Sequence, residues 1–228
     1  MPARVGPLRS EVALALFGVA MWGLLAAQLA VLAAFNPDQA AAMAVGLGTE
    51  LAFGREAGIP AGLAAGLHPL LMWETSVVQD FATAFLGYPI FLYLLHRYQD
   101  RDIYLMRRLR RIEAKAAEHQ QFVHRWGPLG IALFMFVPFL VNGPFVALVL
   151  GRLTGIHTRQ LLLPVLGATI VIAGAWTFAL DGMLRLAGAV DERLGYVAAA
   201  VAVVIVATLG IVDFIREHRA IQAEREGP

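Results

Sequence analysis

The sequence predicts an all-α integral membrane protein with about four full spans and two re-entrant, broken-helix hairpins arranged as an inverted repeat. Three observations predict it. Hydrophobic residues make up 59% of the 228 residues and charged residues 15%, against about 45–50% and about 25% in soluble domains. Apolar runs of the length that crosses a hydrocarbon core, about 20 residues, recur along the chain. Two further apolar stretches are interrupted near their middles by Gly and Pro. A mean hydropathy of +0.67 points the same way, and soluble, disordered and collagen-like classes are excluded.

Composition also removes several chemistries. The chain has no cysteine, so disulfides, thiolate metal sites and thiol nucleophiles are ruled out. Its six histidines are scattered without metal-ligand spacing, and no nucleophile elbow or phosphate-binding glycine loop is present. The expectation is a protein that is not an enzyme and holds no cofactor or metal. A net charge of +1 offers no general field for nucleic acid.

The elements follow in order. Residues 12–35 form an uncharged run preceded by Arg4 and Arg9. The run exceeds the apolar core of a signal peptide, about 7–15 residues, so a retained anchor is expected. A second span over 71–95 carries Glu74 and Asp80, a third covers 160–180, and a fourth covers 195–212. The interrupted stretches are 41–70, broken across Gly54 to Pro60, and 127–155, broken by Pro138 and Asn142-Gly143-Pro144. Each half, about 10 residues, makes about 15 Å of helix and reaches halfway across. A break at that depth is tolerated only inside protein or beside water, which favours re-entrant hairpins over kinked spans. The chain then divides into an anchor (1–40), a first repeat (41–96), a basic segment (97–126), a second repeat (127–184) and a C-terminal span with its tail (185–228).

A hairpin followed by a span occurs twice, with Pro60 and Pro144 spaced 84 residues apart. Each hairpin ends in a small-xxx-small pattern, Gly62 to Gly66 and Gly151 to Gly155. That pattern permits close helix contact, within one chain or in a homo-oligomer. Each unit crosses an odd number of times, so the second is inverted, as in transporters whose broken helices meet at the midplane. With both termini on the cytoplasmic side of the inner membrane, fifteen of the eighteen Lys and Arg residues lie inside. The segment 97–122 places Ile103, Met106, Leu109 and Ile112 among arginines, as an amphipathic helix on an anionic leaflet does.

Ionisable groups inside a membrane are costly and point to function. Here they are Glu50, Arg55, Glu56, Glu74 and Asp80. The candidates for substrate binding or proton coupling are Arg55 and Glu56 at the first hairpin tip, with Asp80, Asn142 at the second tip, and Arg152. A helix starting after Pro60 would aim its positive end at the first tip. The competing reading makes these groups static ion pairs, caps and snorkelling side chains.

The stretches GREAGIPAGLAAGLHP (54–69) and RWGPLGIALFMFVPFLVNGPFVALVLGRLTGI (125–156) resemble the small multidrug export membrane protein family. That family is similar in turn to the DedA/VTT superfamily, and the resemblance spans roughly 44–185. Arg55-Glu56 before Ile59-Pro60 matches the family's charged break. At the second tip Pro138 and Gly143 remain, while Leu140, Val141 and Asn142 replace the expected Pro and Thr-Gly. The resemblance implies export, and the wider likeness implies lipid or polyprenyl-phosphate translocation driven by protons. The expectation is therefore a proton-coupled transporter or lipid translocase. It would move an amphipathic or lipid-linked anion through a cavity between the hairpins, with membrane lipids, that substrate and protons as partners. The alternatives are a drug exporter and a non-transporting structural subunit.

Overall fold

The computed structural model describes residues 9–98, 127–131, 135, 143–190 and 208. Among them every regular element is helical: α1 (Arg9–Phe35), α2 (Pro37–Phe53), α3 (Arg55–Ala64), α4 (Pro69–Tyr98), α5 (Pro144–Leu153) and α6 (Thr158–Val190). A short helical segment covers 127–131. Three helices are long and apolar enough to cross a membrane, over Glu11–Phe35, Pro69–Leu95 and Thr158–Leu186. They coincide with the first three expected spans. The expected fourth span (195–212), all but residue 208, and the basic segment (97–126), apart from residues 97 and 98, lie outside the described residues, as do most of 132–142.

The chain forms two compact units. One comprises Met1–Gln28 with Val77–Ala173, the other Leu29–Ser76 with Gly174–Pro228. The second unit is built on a helical hairpin. Asn36 caps α2, its side chain accepting from the Gln39 N–H at 3.2 Å, and Pro37 opens the helix where no donor is needed. Helix α2 has 17 residues and α3 has 10, both short of the about 20 that a span usually takes. They are joined by a single residue, Gly54, at φ 85° and ψ 170°, a conformation open essentially to glycine alone.

This placement corrects the sequence reading of the break. Pro60 neither ends nor begins a helix; it sits inside α3, which starts at Arg55. Proline's missing N–H costs one backbone bond within a helix, a loss that buried packing absorbs, whereas only glycine tolerates the backbone found at position 54. Arg55 and Glu56 therefore form the first turn of a helix and not an unwound tip.

The hairpin register follows from close approaches. A β-carbon at Gly58 would stand 2.7 Å from Glu50 Cα, and one at Gly46 would stand 3.3 Å from Gly62 Cα. Both pairs are centred on position 54, so α2 and α3 run antiparallel about Gly54. Beside Gly46 and Gly62 lies the fully buried thioether of Met72, filling the slot that the two glycines leave.

The same joint recurs in the other unit. Helix α3 ends with Leu67 N–H on the Gly62 carbonyl at 2.9 Å and Gly66 N–H on the Leu63 carbonyl at 3.0 Å. Helix α5 ends with Ile156 N–H on the Gly151 carbonyl at 3.0 Å and Gly155 N–H on the Arg152 carbonyl at 3.1 Å. Gly66 and Gly155 hold φ 90° and 84°. Both are Schellman caps, with an apolar residue after the left-handed glycine. Each small-xxx-small pattern thus combines one packing glycine with one capping glycine. Gly151 meets Leu161 as Gly62 meets Met72. Gly54 and Gly143, Gly62 and Gly151, Gly66 and Gly155, His68 and His157, and Met72 and Leu161 are each 89 residues apart. Pro60 and Pro144, 84 residues apart, do not share that spacing.

In the first unit α1 packs against α4 at Gly18, where a β-carbon would stand 2.7 Å from the Leu86 nitrogen. Phe17 and Phe85 meet edge to face there, with ring centroids 5.4 Å apart.

Candidate functional site

In the second unit the ionisable groups gather at the Gly54 end of the hairpin. Glu50 lies one turn before Gly54 and is 5% exposed; Arg55 follows it and is 4% exposed. Burial of this kind is rare for either residue type and demands polar neighbours. Glu50 Oε1 accepts a hydrogen bond from the Ser76 hydroxyl of α4 at 2.9 Å. Arg55 Nε stands 3.7 Å from Glu56 Oε1, an ion pair longer than a hydrogen bond. Glu56 lies in the first turn of α3, where the helix dipole favours a negative charge. Thr75, the neighbour of Ser76, is fully buried and its hydroxyl makes no hydrogen bond.

Gly58 lets this cluster exist. Helices joined by one residue must approach closely, and Gly58 offers no side chain opposite Glu50, so the Glu50 backbone lies against it. The glutamate is thereby held on the inner face of α2, turned to α4 rather than to the surroundings.

The remaining candidates occupy the first unit. Asp80, on α4, is partly buried, and its Oδ1 would lie 4.0 Å from a β-carbon at Gly143. Gly143 is the N-cap of α5 and supplies no side-chain cap. The Asp80 carboxylate therefore stands at a helix start whose free N–H groups favour an anion. Arg152 is exposed in the last turn of α5. Asn142 lies outside the described residues. Nearby, the buried Tyr88 of α4 shares a hydrogen bond with Thr158 at the start of α6, at 2.6 Å.

The structure thus brings Arg55 and Glu56 together, as expected, and adds Glu50 and Ser76. Glu50 is visible in the sequence as an intramembrane acid, but nothing there ranks it above Glu56. The usable signal is symmetry about Gly54: Glu50 and Gly58 are each four residues from it. Among the described residues no group of acids and histidines could hold a metal ion.

Helices of spanning length, together with buried ionisable groups between helices, define an all-α, membrane-embedded protein with a polar site among its helices. The comparisons place it more closely. The family model described as "Putative small multi-drug export protein" matches residues 55–178, over half of the chain. The chain belongs to that family. No curated protein and no solved structure matches it.

Proposed function

We propose that this membrane exporter couples transport to protons through the carboxylates at the Gly54 end of the hairpin, and that its substrate is an amphipathic or lipid-linked anion drawn by Arg55. Membership of an export family supports transport as the activity. One observation carries the rest: Glu50, 5% exposed, bonded to Ser76 and close in sequence to the buried Arg55. A carboxyl among helices, whose partner is a hydroxyl able to donate or accept, can keep that hydrogen bond in either protonation state. Arg55 supplies a lasting positive charge for an anionic group, and Glu56 is the neighbour that balances it between turnovers.

In this reading the α2–α3 hairpin is re-entrant, which the 10 residues of α3 and the 17 of α2, below the usual about 20, support. The 89-residue recurrence of the glycine cap supports a tandem repeat, inverted as the charge bias favours.

The experiment is exchange of labelled anionic lipid, including a polyprenyl phosphate, in proteoliposomes at two pH values. Wild type is compared with Glu50→Gln and Glu56→Gln. Exchange that requires the protein and loses its pH dependence in Glu50→Gln is the expected result. Folded protein that gives no exchange above empty liposomes would overturn the lipid-linked substrate. Export of soluble drug-like cations or anions would then be measured in the same vesicles. Inactivity there too, with Glu50→Gln merely less stable, would favour a structural subunit.

A further inference from the structure

We infer that the α5–α6 corner is a docking site for an anionic phospholipid that stays bound to the protein as a resident lipid. The inference needs only the membrane-embedded fold and stands apart from the transport reading.

Three basic side chains occupy one short corner. Arg152 is in the last turn of α5, His157 precedes α6 and Arg159 is in its first turn, and all three are exposed. The apolar span of α6 begins at Thr158, which puts this corner at the boundary between headgroups and hydrocarbon. The first turn of α6 also presents free N–H groups, and the helix dipole adds to the positive field. Among the described residues, Glu11 of α1 is an acid whose charge, like that of Arg152, acts on the Tyr88 hydroxyl. Two arginines against that one carboxylate leave the described corner positive, with His157 as a further polar donor. Guanidinium groups match phosphate oxygens in a planar fork.

The corner continues into a track for an acyl chain. With about 3.6 residues per turn, Arg159, Leu163, Gly167, Ile170 and Val171 fall on one stripe of α6. Leu163 is 81% exposed and Val171 57% exposed, with Ile170 also exposed. Between Leu163 and Val171 lies Gly167, where a β-carbon would meet nothing within 4 Å. The stripe is therefore notched one turn below Leu163. A flexible chain descending from a phosphate held at Arg159 fits that notch, whereas a packed protein helix would have filled it. The positive charge sits at the end where the headgroup must be, which selects an anionic lipid over a zwitterionic one.

The test uses the full chain, purified in mild detergent and titrated with phosphatidylglycerol, phosphatidylcholine or soluble glycerol phosphate. Bound lipid is counted by native mass spectrometry, and folding is followed by thermal melting. Wild type is expected to retain phosphatidylglycerol in preference to phosphatidylcholine. R152Q/R159Q should lose affinity for it by about thirtyfold, given the usual attraction of each basic residue to an anionic surface. Gly167→Leu adds a side chain where no protein atom stands, so it keeps the fold even if the double variant does not. It should weaken retention of phosphatidylglycerol with both arginines in place. Equal retention by wild type and both variants would overturn the site, as would equal binding of the two lipids. Soluble glycerol phosphate binding as tightly as the lipid would also overturn it, by showing a free-phosphate site instead.

Discussion

Gly58 of α3 lies directly against Glu50 of α2, so close that a β-carbon on the glycine would stand 2.7 Å from the glutamate's Cα. The neighbour is backbone and has no room to yield. Gly58→Ala should therefore force the hairpin apart and cost about 1–3 kcal/mol, as overpacking does. Gly48→Ala is the matched control, since Gly48 sits in the same hairpin with nothing within 4 Å. It should stabilise by up to about 1 kcal/mol through helix propensity. Reversible unfolding in mixed micelles measures both. A hairpin indifferent to Gly58→Ala would mean that this register is not the native one.

The hydroxyl of Ser76 is the donor to Glu50. Ser76→Ala should cost about 1 kcal/mol, in line with single hydrogen bonds between membrane helices. In Glu50→Leu the same Ser76→Ala change should cost far less, because the acceptor is already gone. Comparing the four proteins in one unfolding assay gives the coupling, and a coupling of zero would show that the bond contributes nothing to the fold.

Two glycines hold the left-handed backbone that ends α3 and α5, Gly66 at φ 90° and Gly155 at φ 84°. Their caps have the same two hydrogen bonds. Gly66→Ala and Gly155→Ala should each destabilise by about 1–2 kcal/mol, the usual penalty for a β-carbon in that region. Neither glycine has an atom within 4 Å of such a carbon, so strain and not collision is being read. A clear difference between the two losses would show that the joints are not equivalent.

Tyr88 and Thr158 tie α4 to the start of α6 at 2.6 Å. A double-mutant cycle of Tyr88→Phe and Thr158→Val should return a coupling near the average for such bonds in a membrane, about 0.6 kcal/mol. Independent, additive losses would contradict the contact.

Much of the architecture was legible because a bilayer constrains sequence so strongly. The runs at 12–35, 71–95 and 160–180 could be little other than spans, and all three correspond to long helices. The limits were less legible. Helix α6 runs to Val190, past the charged pair Asp181 and Arg185, because a helix end leaving hydrocarbon need not stop where apolarity stops. The fold-back in the first hairpin was misplaced for a specific reason. Pro60 is the strongest local punctuation in 54–60, yet a helix absorbs one proline more easily than a non-glycine residue absorbs the φ of Gly54. The glycines that shape the two helix ends recur at 89 residues, a spacing the prolines do not share. Among the candidate site residues, Arg55 and Glu56 were singled out by charge alone. Glu50 could be ranked only once the antiparallel register had put Gly58 opposite it.

The Gln39 side chain has a consequence for motion. Its amide nitrogen donates to the Gly66 carbonyl at 2.7 Å, and its amide oxygen accepts from the His68 N–H at 3.0 Å. The root of α2 is thus riveted across the α3–α4 turn at two points, neither of them titratable. Toward the other end, the bond from Ser76 to Glu50 behaves as a latch. A hairpin riveted at its root and latched near its tip can swing only when the latch opens, and the swing is largest where Arg55 and Glu56 sit. Rupture of that one bond would loosen the charged end first, with the rest of the hairpin serving as the lever arm.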